Sequence, residues 1–141
     1  MSRILGRKIA HRRSMLRNLT TSLVLYEKVD TTLAKAKETK SYVERLLARS
    51  KEGGLNTIRS LNALLFDRNA TKKIIDELIP RYKDRKTGFI HSYYLKNRLG
   101  DNSAMMRLVL VDRKVFVDKE VEQEKADKTE KSPVKKEKNG K

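Results

Sequence analysis

Arg3, Arg7, Lys8, Arg12, Arg13 and Arg17 place six cations within the first 26 residues, and no Asp or Glu falls among them. Five of the six are Arg, whose planar guanidinium fork pairs phosphate oxygens two at a time. Crowding like charges raises self-repulsion, so this spacing points to an anionic partner, and phosphate is the anion it suits best. His11 and Asn18 add donors to the same stretch. Lys35 and Lys37, with Lys96 and Arg98 beside a turn, extend the candidate phosphate-binding set, and composition does not decide between DNA and RNA. Other chemistry finds little support. His11 and His91 are the only histidines, and neither stands at ligand spacing with carboxylates, whereas a metal site needs three or four such groups. Ser14 lies near His11, but no acid close in sequence would orient the imidazole for nucleophilic catalysis. There is no GxxxxGK[ST] run and no glycine-rich dinucleotide loop. The expectation is a protein that is not an enzyme, with no metal, no cofactor and no small-molecule substrate.

Composition points the same way. The 141 residues carry 34 Lys and Arg against 18 Asp and Glu, a net charge of +16 and a pI near 10.2. A pI above roughly 9 is the footprint of a nucleic-acid binder, an anionic membrane surface being the other common partner. No apolar run approaches the roughly 18 residues of a membrane span. A membrane-surface helix would need a broad apolar face opposite its cations, and here that face is required for a core. The absence of cysteine excludes disulfides and thiolate sites and fits a reducing compartment. An acid-free, Arg- and Ser-rich amphipathic start is also how a mitochondrial transit peptide reads. The apolar pattern nevertheless runs from this start into the next element without a linker, which makes it part of the fold.

The elements that must position these cations follow from periodicity. Leu16, Leu19, Leu23 and Tyr26 recur at helical spacing and predict a helix over about 12–26, with Arg13 and Arg17 on its flank. The run EKVDTTL is rich in β-branched residues and reads as a short strand. Thr31 or Thr32 then caps a helix over 33–50 with Ala36, Val43, Leu46 and Leu47 inward, ended by Gly53 and Gly54. Further helices are expected over 57–66, using Ile58, Leu61 and Leu65, and over 71–79, using Ile74, Ile75, Leu78 and Ile79, closed by Pro80. GFIHSYYL and AMMRLVLVD read as strands joined by turn chemistry at Gly100–Asp101–Asn102. The fold class is therefore α+β, with helices on one face of a small sheet. The expected organisation is a basic arm over 1–13, one domain over 14–118 and a tail over 119–141. That tail holds eight Lys and six acids but only Val121, Ala126 and Val134 from the apolar set, too little to offset its ordering entropy, so disorder is expected there.

The quoted residues carry a family resemblance. His11–Arg12, Leu16–Arg17–Asn18–Leu19, Thr31–Thr32–Leu33 and Lys35–Ala36–Lys37–Glu38, followed by ELIPRYKDR and RLGDNSAMMRLVLVD, occur in that order. In this the chain resembles the bacterial-type ribosomal large-subunit protein number seventeen family over about Leu5–Asp112. The resemblance implies a two-layer α/β fold with a small mixed three-stranded sheet. It implies a structural role in the large ribosomal subunit, in the cytoplasm, bound to large-subunit ribosomal RNA beside neighbouring ribosomal proteins near the exit of the peptide tunnel. It also implies an arm that orders on assembly. The chain departs from the family by opening Met1–Ser2–Arg3, short of a longer basic tip, and by Thr87–Gly88–Phe89–Ile90–His91 where the family has an Arg. Contacts made by that tip and that Arg are expected to be missing. The alternative from another class is a free nucleic-acid-binding regulator or nucleoid-type protein. Co-sedimentation with the large subunit in high salt discriminates the two.

Overall fold

The computed structural model describes residues 3–113. The expected tail, 119–141, and the five residues before it lie outside the described residues. The chain runs α1 (Ile9–Tyr26), β1 (Lys28–Thr32), α2 (Leu33–Ser50), α3 (Leu55–Leu64) and α4 (Arg68–Lys73). A π-helical turn, Ile74–Leu78, leads α4 into α5 (Ile79–Arg81), and β2 (Ile90–Tyr94) and β3 (Met105–Leu110) follow.

The first helix begins three residues before its expected start, so residues 9–13 of the expected arm are helical. Its inward face is also rotated. Thr20, Leu23 and Val24 are buried, whereas Tyr26 is 69% exposed. At 3.6 residues per turn, Tyr26 lies roughly a third of a turn away from the centre of the face formed by Thr20, Leu23 and Val24. The second helix matches its expected span and buries Ala36, Val43, Leu46 and Leu47. Thr32 holds the N-cap position without a side-chain hydrogen bond; the Leu33 N–H instead donates to the Ala104 carbonyl at 2.9 Å. In α3 only Leu61 is buried, with Leu65 just past its end, and Ile58 faces outward. The fourth helix starts earlier than expected because the Asp67 carboxylate accepts from the Asn69 N–H at 2.8 Å, a short-range N-cap. Pro80 does not stop the chain's helical path. The wider π turn closes on the Ile74 carbonyl before it, and the Tyr82 N–H reaches the Leu78 carbonyl at 3.0 Å beyond it.

The sheet order is β1-β3-β2, and both pairings are antiparallel. The expected mixed sheet is thereby corrected. β1 and β2 run in the same direction but flank β3 and share no ladder, so no parallel pair forms. Met106, Leu108 and Leu110 of β3 point into the core with Leu23, Val24, Val43, Leu47, Ile74 and Leu78. Lys28, Asp30, Arg107, His91 and Tyr93 alternate onto the other, helix-free face. There Asp30 accepts from Arg107 at 2.6 and 2.7 Å, and that bond and charge hold its carboxyl below the usual range.

Candidate nucleic-acid interface

Residues 3–8 fold back on the start of α1. Leu5 and Gly6 both take left-handed backbone angles, φ 58° and 60°, and the Arg7 N–H returns to the Ile4 carbonyl at 3.4 Å. Arg12 donates to the Arg3 carbonyl at 3.4 Å, and Arg7 donates to Nε2 of His11 at 2.9 Å. A guanidinium cannot accept, so that nitrogen of His11 is the acceptor. The Arg3 guanidinium lies 3.9 Å from the Glu38 carboxylate, which sets the arm beside α2.

The N-terminus of α1 is unusual for a surface helix. Lys8 occupies the N-cap position, there is no side-chain cap, and no acid stands in the first turn. The unpaired N–H groups and the roughly half positive charge of the helix dipole therefore face Arg7, Lys8, Arg12 and Arg13 at the same end. Negatively charged residues ordinarily occupy such a place, and a phosphate would satisfy it.

The other expected residues divide by what holds them. Lys8, His11, Arg13 and Asn18 are exposed. Arg17 is half-buried: it donates to the Ala63 carbonyl and lies over the Phe66 ring, 5.4 Å from its centroid. It therefore ties α1 to α3 and is not a free flank residue. Lys35 and Lys37 stand in the first two turns of α2, which also lacks an acid in its first turn. The Arg3–Glu38 pair joins this turn to the arm, and the Leu33–Ala104 hydrogen bond joins it to the β2–β3 connection. Lys96 and Arg98 lie on that connection. Arg98 is engaged there by Asp101, whose carboxyl the hydrogen bonds of Arg98 and Ser103 push far below its usual range. Thus contacts link the arm, the start of α2 and the hairpin loop, while Arg17 and Arg98 have structural partners.

Two arginines escaped the sequence reading. Arg45 and Arg49 lie on α2 beyond Lys35 and Lys37, and among the described residues neither pairs with a carboxylate. Their spacing of four, which puts both on one face of α2, was the available signal.

Comparison with known proteins resolves the family. A family model described as Ribosomal protein L17 matches residues 15–111. The chain belongs to the ribosomal protein L17 family. It is 41% identical over 109 residues to the large ribosomal subunit protein bL17 of Wolinella succinogenes, covering 77% of this chain and 94% of that protein. The bL17 of Campylobacter jejuni is 45% identical over 103 residues, 73% of this chain and 88% of its own. That of Endomicrobium trichonymphae is 43% identical over 107 residues, 74% and 92%. Membership makes the chain a structural ribosomal protein and not an enzyme.

Proposed function

We propose that this protein, a structural constituent of the large ribosomal subunit, binds large-subunit rRNA through residues 3–8 and the N-terminal half of α1. The observation that carries the reading is the start of α1, uncapped, free of acids and surrounded by Arg7, Lys8, Arg12 and Arg13. Such an end repels itself until an anion arrives, and rRNA offers a phosphate at every nucleotide. Lys35 and Lys37 extend the contact along the start of α2, and Lys96 extends it along the hairpin loop. Neighbouring large-subunit proteins and a position near the peptide tunnel exit follow from the family resemblance.

The test is retention on the large subunit through a high-salt wash. The full chain is expected to stay bound, and a chain lacking residues 1–8 is expected to wash off. Equal retention would overturn the role of the arm. Ultraviolet cross-links from α1, mapped on the rRNA, test the position; cross-links confined to segments remote from the tunnel exit would overturn it.

A further inference from the structure

Between α2 and α3 lies an open cleft of about 180 Å³. Leu46, Leu61 and Leu64 form its apolar floor, Tyr42 supplies an aromatic face, and Ser60 stands on its rim. Arg45 and Arg49, both exposed, line it one helical turn apart, and no carboxylate lines it. Like charges at this spacing cost a helix roughly 0.2–0.5 kcal/mol; Arg49, in the last turn, is favoured by the helix dipole, but Arg45, a turn earlier, is not. Arg45 is steadied by a hydrogen bond from its Nε to the Ser41 carbonyl at 3.2 Å, a bond that does not engage its terminal nitrogens. An apolar floor with an aromatic wall suits a flat ring, and paired guanidinium groups at the mouth suit a phosphate. The volume falls below the roughly 300 Å³ at which sites for larger ligands begin.

We infer that this cleft receives a single unpaired nucleotide of an RNA strand, its base on Tyr42, Leu61 and Leu64 and its phosphate on Arg45 and Arg49. Unpaired bases are what proteins most readily read in RNA, by stacking them on aromatic side chains. The inference rests on the RNA-binding reading above and adds to it a second contact, independent of the arm and sensitive to the base.

The test compares the full chain's affinity for an adenosine hexanucleotide with that for an abasic hexamer of the same phosphate count. The arm binds both alike, so preference for the adenosine strand isolates the cleft. A preference of about tenfold is expected, the scale of stacking one base. Ser60→Leu fills the cleft from its rim and should abolish the preference while leaving abasic binding within about twofold. Arg45→Gln with Arg49→Gln should weaken both strands and lower the salt dependence by about 0.7, one single-strand phosphate contact. In the unmodified chain the methyl resonances of Leu61 and Leu64 should move with the adenosine strand and stay still with the abasic one. That readout stands even if a variant fails to fold. Equal affinity for the two strands, or a preference that survives with both methyls unmoved, would overturn the cleft. Failure of the arm reading would appear separately, as a chain lacking residues 1–8 that still binds the abasic strand at full strength.

Discussion

Arg13 and Arg17 stand one helical turn apart and differ in what they touch. Arg13 is exposed and, among the described residues, has no carboxylate partner. Arg17 donates to the Ala63 carbonyl and stacks on Phe66. Arg13→Ala should therefore weaken RNA binding and lower the salt dependence by roughly one unit, with stability moving by no more than about 0.5 kcal/mol. Arg17→Ala should cost about 1–3 kcal/mol of stability, from a charged hydrogen bond and a partly exposed cation–π contact. Affinity for an rRNA fragment across a salt series, beside thermal unfolding, checks both; equal stability losses would sink the distinction. Lys86→Ala, in an exposed loop, serves as control. Lys51 does not, because its ammonium donates to the carbonyls of Lys83 and Arg85 and lies over Phe89. At this scale the sequence identifies the cations but cannot rank them. The partners of Arg17 and Lys51 lie 46 and 32 or more residues away, and no local pattern announces a contact of that range.

The join between α1 and β1 depends on Glu27. Its backbone is left-handed, φ 58°, which for a non-glycine residue costs on the order of 1–2 kcal/mol. Its carbonyl accepts from the Leu110 N–H at 2.9 Å, and its buried carboxylate meets Lys73 at 3.1 Å and Arg81 at 3.1 and 3.2 Å. One residue thus fixes the helix end, the central strand and the α4–α5 segment together. Burial pushes the Glu27 carboxyl up, but the hydrogen bonds and charges of Arg81 and Lys73 outweigh it and hold it below its ordinary 4.5. Glu27→Gln should destabilise by about 3 kcal/mol, since it leaves largely buried Lys73 without its carboxylate and Arg81 with only the more exposed Glu77, at 3.7 Å. A lowered folded-state pKa contributes stability in full above the unfolded value and loses it as pH falls through the folded one. The gap between the two proteins should therefore be constant above about pH 5 and narrow as the pH falls below 4.5. Denaturant unfolding across pH measures this, and a gap that widens in acid would refute the assignment. Periodicity made α2 legible because its apolar positions are true core positions. It misplaced the face of α1 because Thr20, a polar residue, takes a core place while Tyr26, an aromatic one, is left outside. The π turn before Pro80 was hidden too, since Pro alone reads as a stop.

For the whole molecule, the helices cover one face of a three-stranded sheet and the cations gather at the start of α1, the start of α2 and the hairpin loop. The layer arrangement was legible because a 3.6 period gives way to alternation near Phe89, and because the β2–β3 turn requires an antiparallel pair. The strand order was not, since nothing local tells β1 to pair with β3 rather than β2. The charge distribution yields the remaining prediction. Of the net +16, only +2 belongs to residues 119–141, where eight Lys face six acids. Phosphate affinity scales with the cations that displace counterions, and acids interleaved with those cations compete with the phosphates. This segment also has only Val121, Ala126 and Val134 with which to join a core. Deleting residues 119–141 should therefore leave incorporation into the large subunit unchanged, and the salt dependence of rRNA binding should shift by well under one contact. Deleting residues 1–8 removes Arg3, Arg7 and Lys8 with no acid to balance them, and should lower the salt dependence by about two to three contacts. Subunit profiles and salt titrations of the two truncated chains, run side by side, make the comparison. If losing the last 23 residues weakens assembly as much as losing the first eight, net local charge does not govern how this protein holds the subunit.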